Sequence, residues 1–262
     1  MSLLQAVVLG IVQGLTEFFP VSSSGHLVLA ESILGVNPRG VSFEVLVHLA
    51  TLAAVLAVYW RRVVYLTLGI ARRHDDALRY VGKLALASVP AGFVGVFAAS
   101  RISELFDSPV LTAINLLITG LVVYSTRWLL DRGESLEPGW PGSLAVGVAQ
   151  AAAILPGISR SGSTVVTALW ARTRREHAAE FSFLLSVPAI LGASVLELPS
   201  LAASRGEGEP MVLGAAALAA FVAGVAAILL FVRWLRFGRF HLFAYYCWGV
   251  GGVYLLYRLL SV

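Results

Sequence analysis

"GIVQGLTEFFPVSSSGH", residues 10–26, returns 137 positions later as "GVAQAAAILPGISRSGS", residues 147–163. Gly10 and Gln13 meet Gly147 and Gln150 at that offset, and Ser22, Ser24 and Gly25 meet Ser159, Ser161 and Gly162. Pro20 and Pro156 are one position out of register. In each copy a short apolar helix runs into proline and a cluster of hydroxyls. A helix over residues 3–15 spans only ~20 Å at ~1.5 Å per residue, too little for a hydrocarbon layer of ~30 Å. Proline and glycine then stop it. Each copy therefore predicts a re-entrant hairpin, helix then loop then helix, over 1–34 and 143–171.

The surroundings of the two copies are those of a membrane protein. Of 262 residues, 58% are hydrophobic and 13% charged, against ~45–50% and ~25% in a soluble domain. Six runs are long enough to cross a bilayer, near 42–60, 81–99, 109–128, 179–198, 211–232 and 242–258. The basic residues set their direction. Segments 61–83, 127–142, 172–175 and 233–239 hold fourteen of the 19 Lys and Arg, whereas the alternate ends hold Arg39, Arg101, Arg205 and Arg258. The positive-inside rule makes the first group cytoplasmic and leaves both termini outside. The net charge of +4 is thus a topology signal, and nucleic acid is not an expected partner. Cys247 is the single cysteine, so neither a disulfide framework nor a thiolate metal site can form within the chain. The first cation is Arg39, so the N-terminus reads as part of the fold and not as a cleaved leader.

The expected architecture is one all-α integral membrane domain, 1–262, of six transmembrane helices and two re-entrant hairpins. Each repeat, 1–130 and 140–262, is one hairpin plus three spans. Three crossings invert the second repeat relative to the first, so the hairpins enter from opposite faces and their loops can meet near the midplane. Irregular backbone at that depth needs protein or a wet cavity around it.

The loops carry the candidate chemistry. Their serines, Ser22, Ser24, Ser159, Ser161 and Ser163 with Thr164, fall where new helices begin, positions suited to capping and to binding an anion through free N–H groups. Arg160 adds a planar cation matched to phosphate oxygens. Gln13 and Glu17, four apart, share one helical face and offer oxygen ligands to Mg2+ or Ca2+. Ser23 and His26, three apart, suit a nucleophile and a proton-transfer group. His48 reads as a helix-bonding histidine with no further role. Ser-Val-Pro at 88–90 and 186–188 predicts kinked spans. The chain contains no GxxxxGK[ST], HExxH, CxxC or GxSxG segment.

The segments "QGLTEFFPVSSSGH" and "PGISRSGST" resemble the two signatures of the bacterial undecaprenyl-diphosphate phosphatases, the bacitracin-resistance family. Its first motif, (E/Q)xxxE, is matched by Gln13 and Glu17, and the serine and histidine that follow map onto Ser23 and His26. Its second, PGxSRSxxT, is matched by Pro156, Gly157, Ser159, Arg160, Ser161 and Thr164. The resemblance implies a multi-pass protein of the bacterial inner membrane whose active site opens to the periplasmic face. It further implies hydrolysis of undecaprenyl diphosphate to the monophosphate carrier of cell-wall glycans, a divalent cation, Mg2+ or Ca2+, and a polyprenyl diphosphate lipid as partner, with a homodimer as a further option. The alternative class is a flippase or transporter of a phosphorylated lipid or small anion, since inverted repeats with broken helices also build transporters.

Overall fold

The computed structural model describes residues 1–36, 41–98, 105, 108–129, 133–198 and 209–260. Arg39, Arg101, Arg132 and Arg205, four of the cations used to assign orientation, lie outside them. The described chain is helical throughout apart from one isolated bridge between Ser135 and Thr173. Helix α1 (Leu3–Phe18) starts at a capping box in which Ser2 and Gln5 satisfy each other's backbone N–H, and it stops where Pro20 forbids continuation. Helix α2 (Ser23–Leu34) completes the first hairpin, followed by α3 (Val41–Val58), α4 (Trp60–Ala71), α5 (Asp75–Phe97) and α6 (Pro109–Tyr124). The second hairpin is α7 (Trp140–Ala152) and α8 (Arg160–Trp170), followed by α9 (Arg175–Leu196), α10 (Pro210–Arg236) and α11 (Leu242–Leu260).

Among the described residues four helices, α5, α6 with its 3-10 extension to Trp128, α9 and α10, are long and apolar enough to cross a membrane, and α3 with α4 makes a fifth if that bent pair is one span. The sixth expected run, α11, is 19 residues long but falls outside that set. Tyr245, Tyr246, Tyr254, Tyr257 and Arg258 lower its hydropathy. The segment 61–83, read from its arginines as a loop, is largely helical: α4 turns 80° from α3 and α5 already begins at Asp75. The residues explain the turn. Trp60, Val64 and Leu68 recur at four-residue spacing and remain exposed beside Arg61 and Arg72, the pattern of a helix lying along an interface. Helices α5 and α9 continue through Pro90 and Pro188.

Small residues set the tightest helix contacts. Gly10 of α1 lies so close to α10 that a Cβ would meet the carbonyl of Ala216, and Gly147 of α7 lies equally close to the carbonyl of Ala87 on α5. Such close backbone approach is how helices associate where lipid removes the hydrophobic driving force. Outward residues such as Phe93 and Phe97 on α5, 64% and 73% exposed, are side chains that only lipid would solvate. Ion pairs hold the opposite, basic end together: Arg62 to Glu180 at 2.9 Å, Arg236 to Glu176 at 2.7 Å, and Lys83 to Glu137.

Candidate active site

Each hairpin bends at its hydroxyl cluster, but the two bends differ. Ser22 occupies the left-handed region at φ 68°, a strained setting for a residue with a Cβ, and its carbonyl points back to accept from His26. In the second loop Gly157 takes φ 87°, and a Cβ there would strike the carbonyl of Thr112 on α6. Helix α6 grips that loop: Asn115 Nδ2 donates to Pro156 O at 2.7 Å, Thr119 Oγ1 donates to Gly157 O at 2.8 Å, and Ser159 N–H donates to Thr119 Oγ1 at 3.0 Å. Ser159 then caps α8 by accepting from Gly162 N–H at 3.1 Å. Gly157→Ala is expected to destabilise the protein by about 3 kcal/mol through strain and overlap, read as a lower thermal midpoint in detergent.

The bends touch. Ser161 Oγ donates to Phe19 O at 3.1 Å, and Arg160 Nη2 donates to Glu17 Oε1 at 2.6 Å across 143 residues of sequence. Glu17 gathers the first repeat as well: its Oε2 accepts from Ser23 Oγ at 2.7 Å and from Gln13 Nε2 at 3.1 Å. His48 Nε2 stands 3.8 Å from the same oxygen. The hydroxyl pairs repeat, with Ser22 to Ser24 at 3.3 Å and Ser159 to Ser161 at 3.2 Å. The chemistry does not. At the offset of 137, Glu17, Ser23 and His26 correspond to Ile154, Arg160 and Ser163, so one repeat contributes the carboxylate and its hydrogen-bonded serine and the other the cation.

A cavity of about 460 Å³ opens between the bends, lined by Glu17, Ser22, Ser23, Ser24, Ser159 and Arg160 among others. Two buried polar atoms of this cluster lack a partner among the described residues: Nη1, a donor, of the cavity-lining Arg160, and Oε1, an acceptor, of Gln13 behind Glu17. An unsatisfied guanidinium N–H among hydroxyls calls for an anion, because a buried donor left unpaired costs about 1–3 kcal/mol. The family model for bacitracin resistance protein BacA matches residues 6–253. The chain belongs to the BacA family. It is 38% identical over 272 residues to an undecaprenyl-diphosphatase of Desulforapulum autotrophicum, covering 98% of each chain. Over 260 residues it is 40% identical to an undecaprenyl-diphosphatase of Syntrophotalea carbinolica, covering 97% of this chain and 98% of that one. It is 37% identical over 275 residues to that of Alkaliphilus metalliredigens, covering 99% and 100%.

Within this BacA-family site the expected residues fall into two groups. Glu17, Ser22, Ser23, Ser24, Ser159 and Arg160 face the cavity, and Gln13 lies behind Glu17. Ser161 is buried at the loop contact, and Thr164 turns away to share a hydrogen bond with Ser182 on α9 at 2.6 Å. Ser163 is not among the lining residues. His26 bonds elsewhere than to Ser23. Its Nδ1 donates to Ser22 O at 2.8 Å, which leaves Nε2 to accept from Tyr246 Oη at 2.7 Å. Tyr246 on α11 is a contributor that sequence reading missed, hidden in a tyrosine-rich helix. Tyr246→Phe removes one hydrogen bond of about 1–1.5 kcal/mol, so kcat/KM for phosphate release is expected to fall about tenfold. Glu44 and His48 on α3, Ser194 on α9 and Glu197 at its C-terminal cap also line the cavity. Their spacing of four and three residues is ordinary helical periodicity, and only the fold reveals that it faces a chamber.

Proposed function

We propose that this chain hydrolyses the terminal anhydride of undecaprenyl diphosphate, giving undecaprenyl phosphate and orthophosphate, and thereby recycles the carrier of cell-wall glycans and confers bacitracin resistance. The observation that carries the site reading is Arg160, whose Nη2 is fixed by Glu17 while Nη1 stays buried and unpaired at the cavity wall. The free N–H binds an oxygen of the terminal phosphoryl group, joined by the hydroxyls of Ser22, Ser24 and Ser159. Ser23 passes its proton to Glu17 as its oxygen bonds to the terminal phosphorus, the anhydride bond breaks to release undecaprenyl phosphate, and water then cleaves the phosphoserine to orthophosphate and free Ser23. His26, held in one tautomer by Ser22 O, lies outside the residues lining the chamber and exchanges a proton at Nε2 with Tyr246 Oη. Positioning and charge neutralisation supply most of what phosphoryl transfer needs.

A divalent cation, Mg2+ or Ca2+, belongs to this proposal. Gln13 Oε1 is a buried acceptor without a partner, and Glu17 and Glu44 are oxygen donors of the same chamber. These hard oxygens suit such an ion, held by Gln13 and Glu17, where it would offset charge on the diphosphate. No three His, Cys, Asp or Glu side chains cluster to hold a metal among the described residues, so a bound ion would need substrate or water oxygens as further ligands.

The finer topology belongs here too: six crossings, two re-entrant hairpins, inverted repeats at 1–130 and 140–262, and a chamber open to the periplasmic face of the inner membrane. Helix pairing supports the repeat. Packing of α1 on α10 is matched by α7 on α5, and α6 packs on α11, its own counterpart. Purified protein in detergent is expected to release orthophosphate from C55 diphosphate without any gradient, to stop in EDTA and to recover with Mg2+ or Ca2+. Transbilayer movement of the lipid without phosphate release would instead mark a carrier.

A further inference from the structure

An apolar cavity adjoins the phosphate chamber. Ser24 lines the polar cavity and also a narrow neck of about 40 Å³ between α2, α6 and α11, whose other walls include Gly25, Leu29, Thr112, Val250 and Tyr254. The neck leads on. Leu29, Val250 and Tyr254 also line an open trough of about 480 Å³ that continues along α11 past Gly249 and Val253 to Tyr257. The three cavities thus lie in a row, the chamber and the neck sharing Ser24 as a wall and the neck and the trough sharing Leu29, Val250 and Tyr254.

We propose that this path is the prenyl subsite, in which the first units of the substrate's isoprenoid chain thread between α2 and α11 while the diphosphate stays in the polar chamber. The proposal rests on the phosphatase reading above and names where its lipid lies. Three features favour a hydrocarbon chain over any other occupant. The neck and trough carry no charged side chain. The neck is far smaller than the chamber, so a solvated diphosphate stays behind while a slender chain passes. Gly25 keeps it open, because a Cβ there would press on Thr112 at 3.3 Å and narrow the passage. The hydrogen bond from Tyr246 Oη to His26 Nε2 pins the two walls together, placing the chain beside the proton-transfer group.

The subsite is short. From Val250 to Tyr257 the helix rises only about 10 Å at ~1.5 Å per residue, so it holds the start of a C55 chain and leaves the rest in lipid. Farnesyl diphosphate, C15, therefore fills it, whereas dimethylallyl diphosphate, C5, reaches no further than the neck. Wild-type protein is expected to show a kcat/KM for C15 at least 100-fold above that for C5. Val250→Trp, which fills the path from α11, should cut that ratio at least tenfold. Unfolded molecules drop out of both rates, so the ratio reports the subsite even in a partly folded preparation. Should Val250→Trp leave no activity, Val250→Phe and, from the opposite wall, Leu29→Trp carry the same readout. A ratio unchanged in these variants would overturn the proposal and leave the trough as a resting place for bilayer acyl chains. Failure of wild-type protein to release phosphate from either diphosphate would instead strike the phosphatase reading.

Discussion

Arg160→Ala is expected to lower the maximal rate of phosphate release by about 1,000-fold or more. Removal of an arginine that neutralises a transferring phosphoryl group costs 10³ to 10⁵ in rate in comparable chemistry. Here one nitrogen of the guanidinium is anchored at 2.6 Å on Glu17 and another, Nη1, has no partner among the described residues, so the group is held in place with a donor to spare. Arg160→Lys keeps the charge but loses the fork, since one ammonium cannot hold Glu17 and a phosphate oxygen in the same plane. It is expected to retain more activity than alanine while remaining at least tenfold impaired. Folding must be checked, because alanine leaves Glu17 buried without its cation, a loss of about 3–5 kcal/mol in buried pairs. A well-folded Arg160→Ala protein, by elution and helicity in detergent, that works at the native rate would remove Arg160 from the reaction.

The meeting of Glu17 with Arg160 was legible in the sequence before any coordinate. Proline and hydroxyls at the same place in two related segments, both too short to span, predicted two broken helices whose bends face each other, and the two bends do touch. What the pattern left open was direction. Every position from Ser159 to Thr164 except Arg160 and Gly162 bears a hydroxyl, and sequence spacing alone does not say which faces the cavity. Packing decides: Thr164 takes Ser182 as its partner, and Ser161 spends its hydroxyl on the neighbouring loop. The pairing of His26 with Ser23 failed to appear for a similar reason. Three-residue spacing places two side chains on one face but cannot foresee a tyrosine 220 residues away that takes the imidazole first. Helix α4 was obscured by its arginines, which mark a cytoplasmic loop and an interfacial helix equally well.

The role of Glu17 is separable from that of Arg160 by how the two kinetic constants move. Glu17→Gln preserves the volume and one oxygen but removes the charge, so Ser23 loses the base that takes its proton. General-base loss costs about 10² to 10⁴ in rate, and kcat is expected to fall about 1,000-fold. KM should move the other way. In the free protein Glu17 occupies one edge of Arg160 and repels an incoming diphosphate, both of which oppose substrate binding. A neutral amide relieves that opposition, leaving Arg160 with a stronger demand for an anion. With Mg2+ held saturating, so that any loss of metal affinity does not enter, the expected signature is a large fall in kcat with an equal or lower KM, the pattern of a group that works in the transition state and not in ground-state binding. Arg160→Ala, by contrast, should raise KM as it lowers kcat. If Glu17→Gln raised KM with kcat intact, the carboxylate would be a binding residue, and transfer of the Ser23 proton would have to be assigned elsewhere.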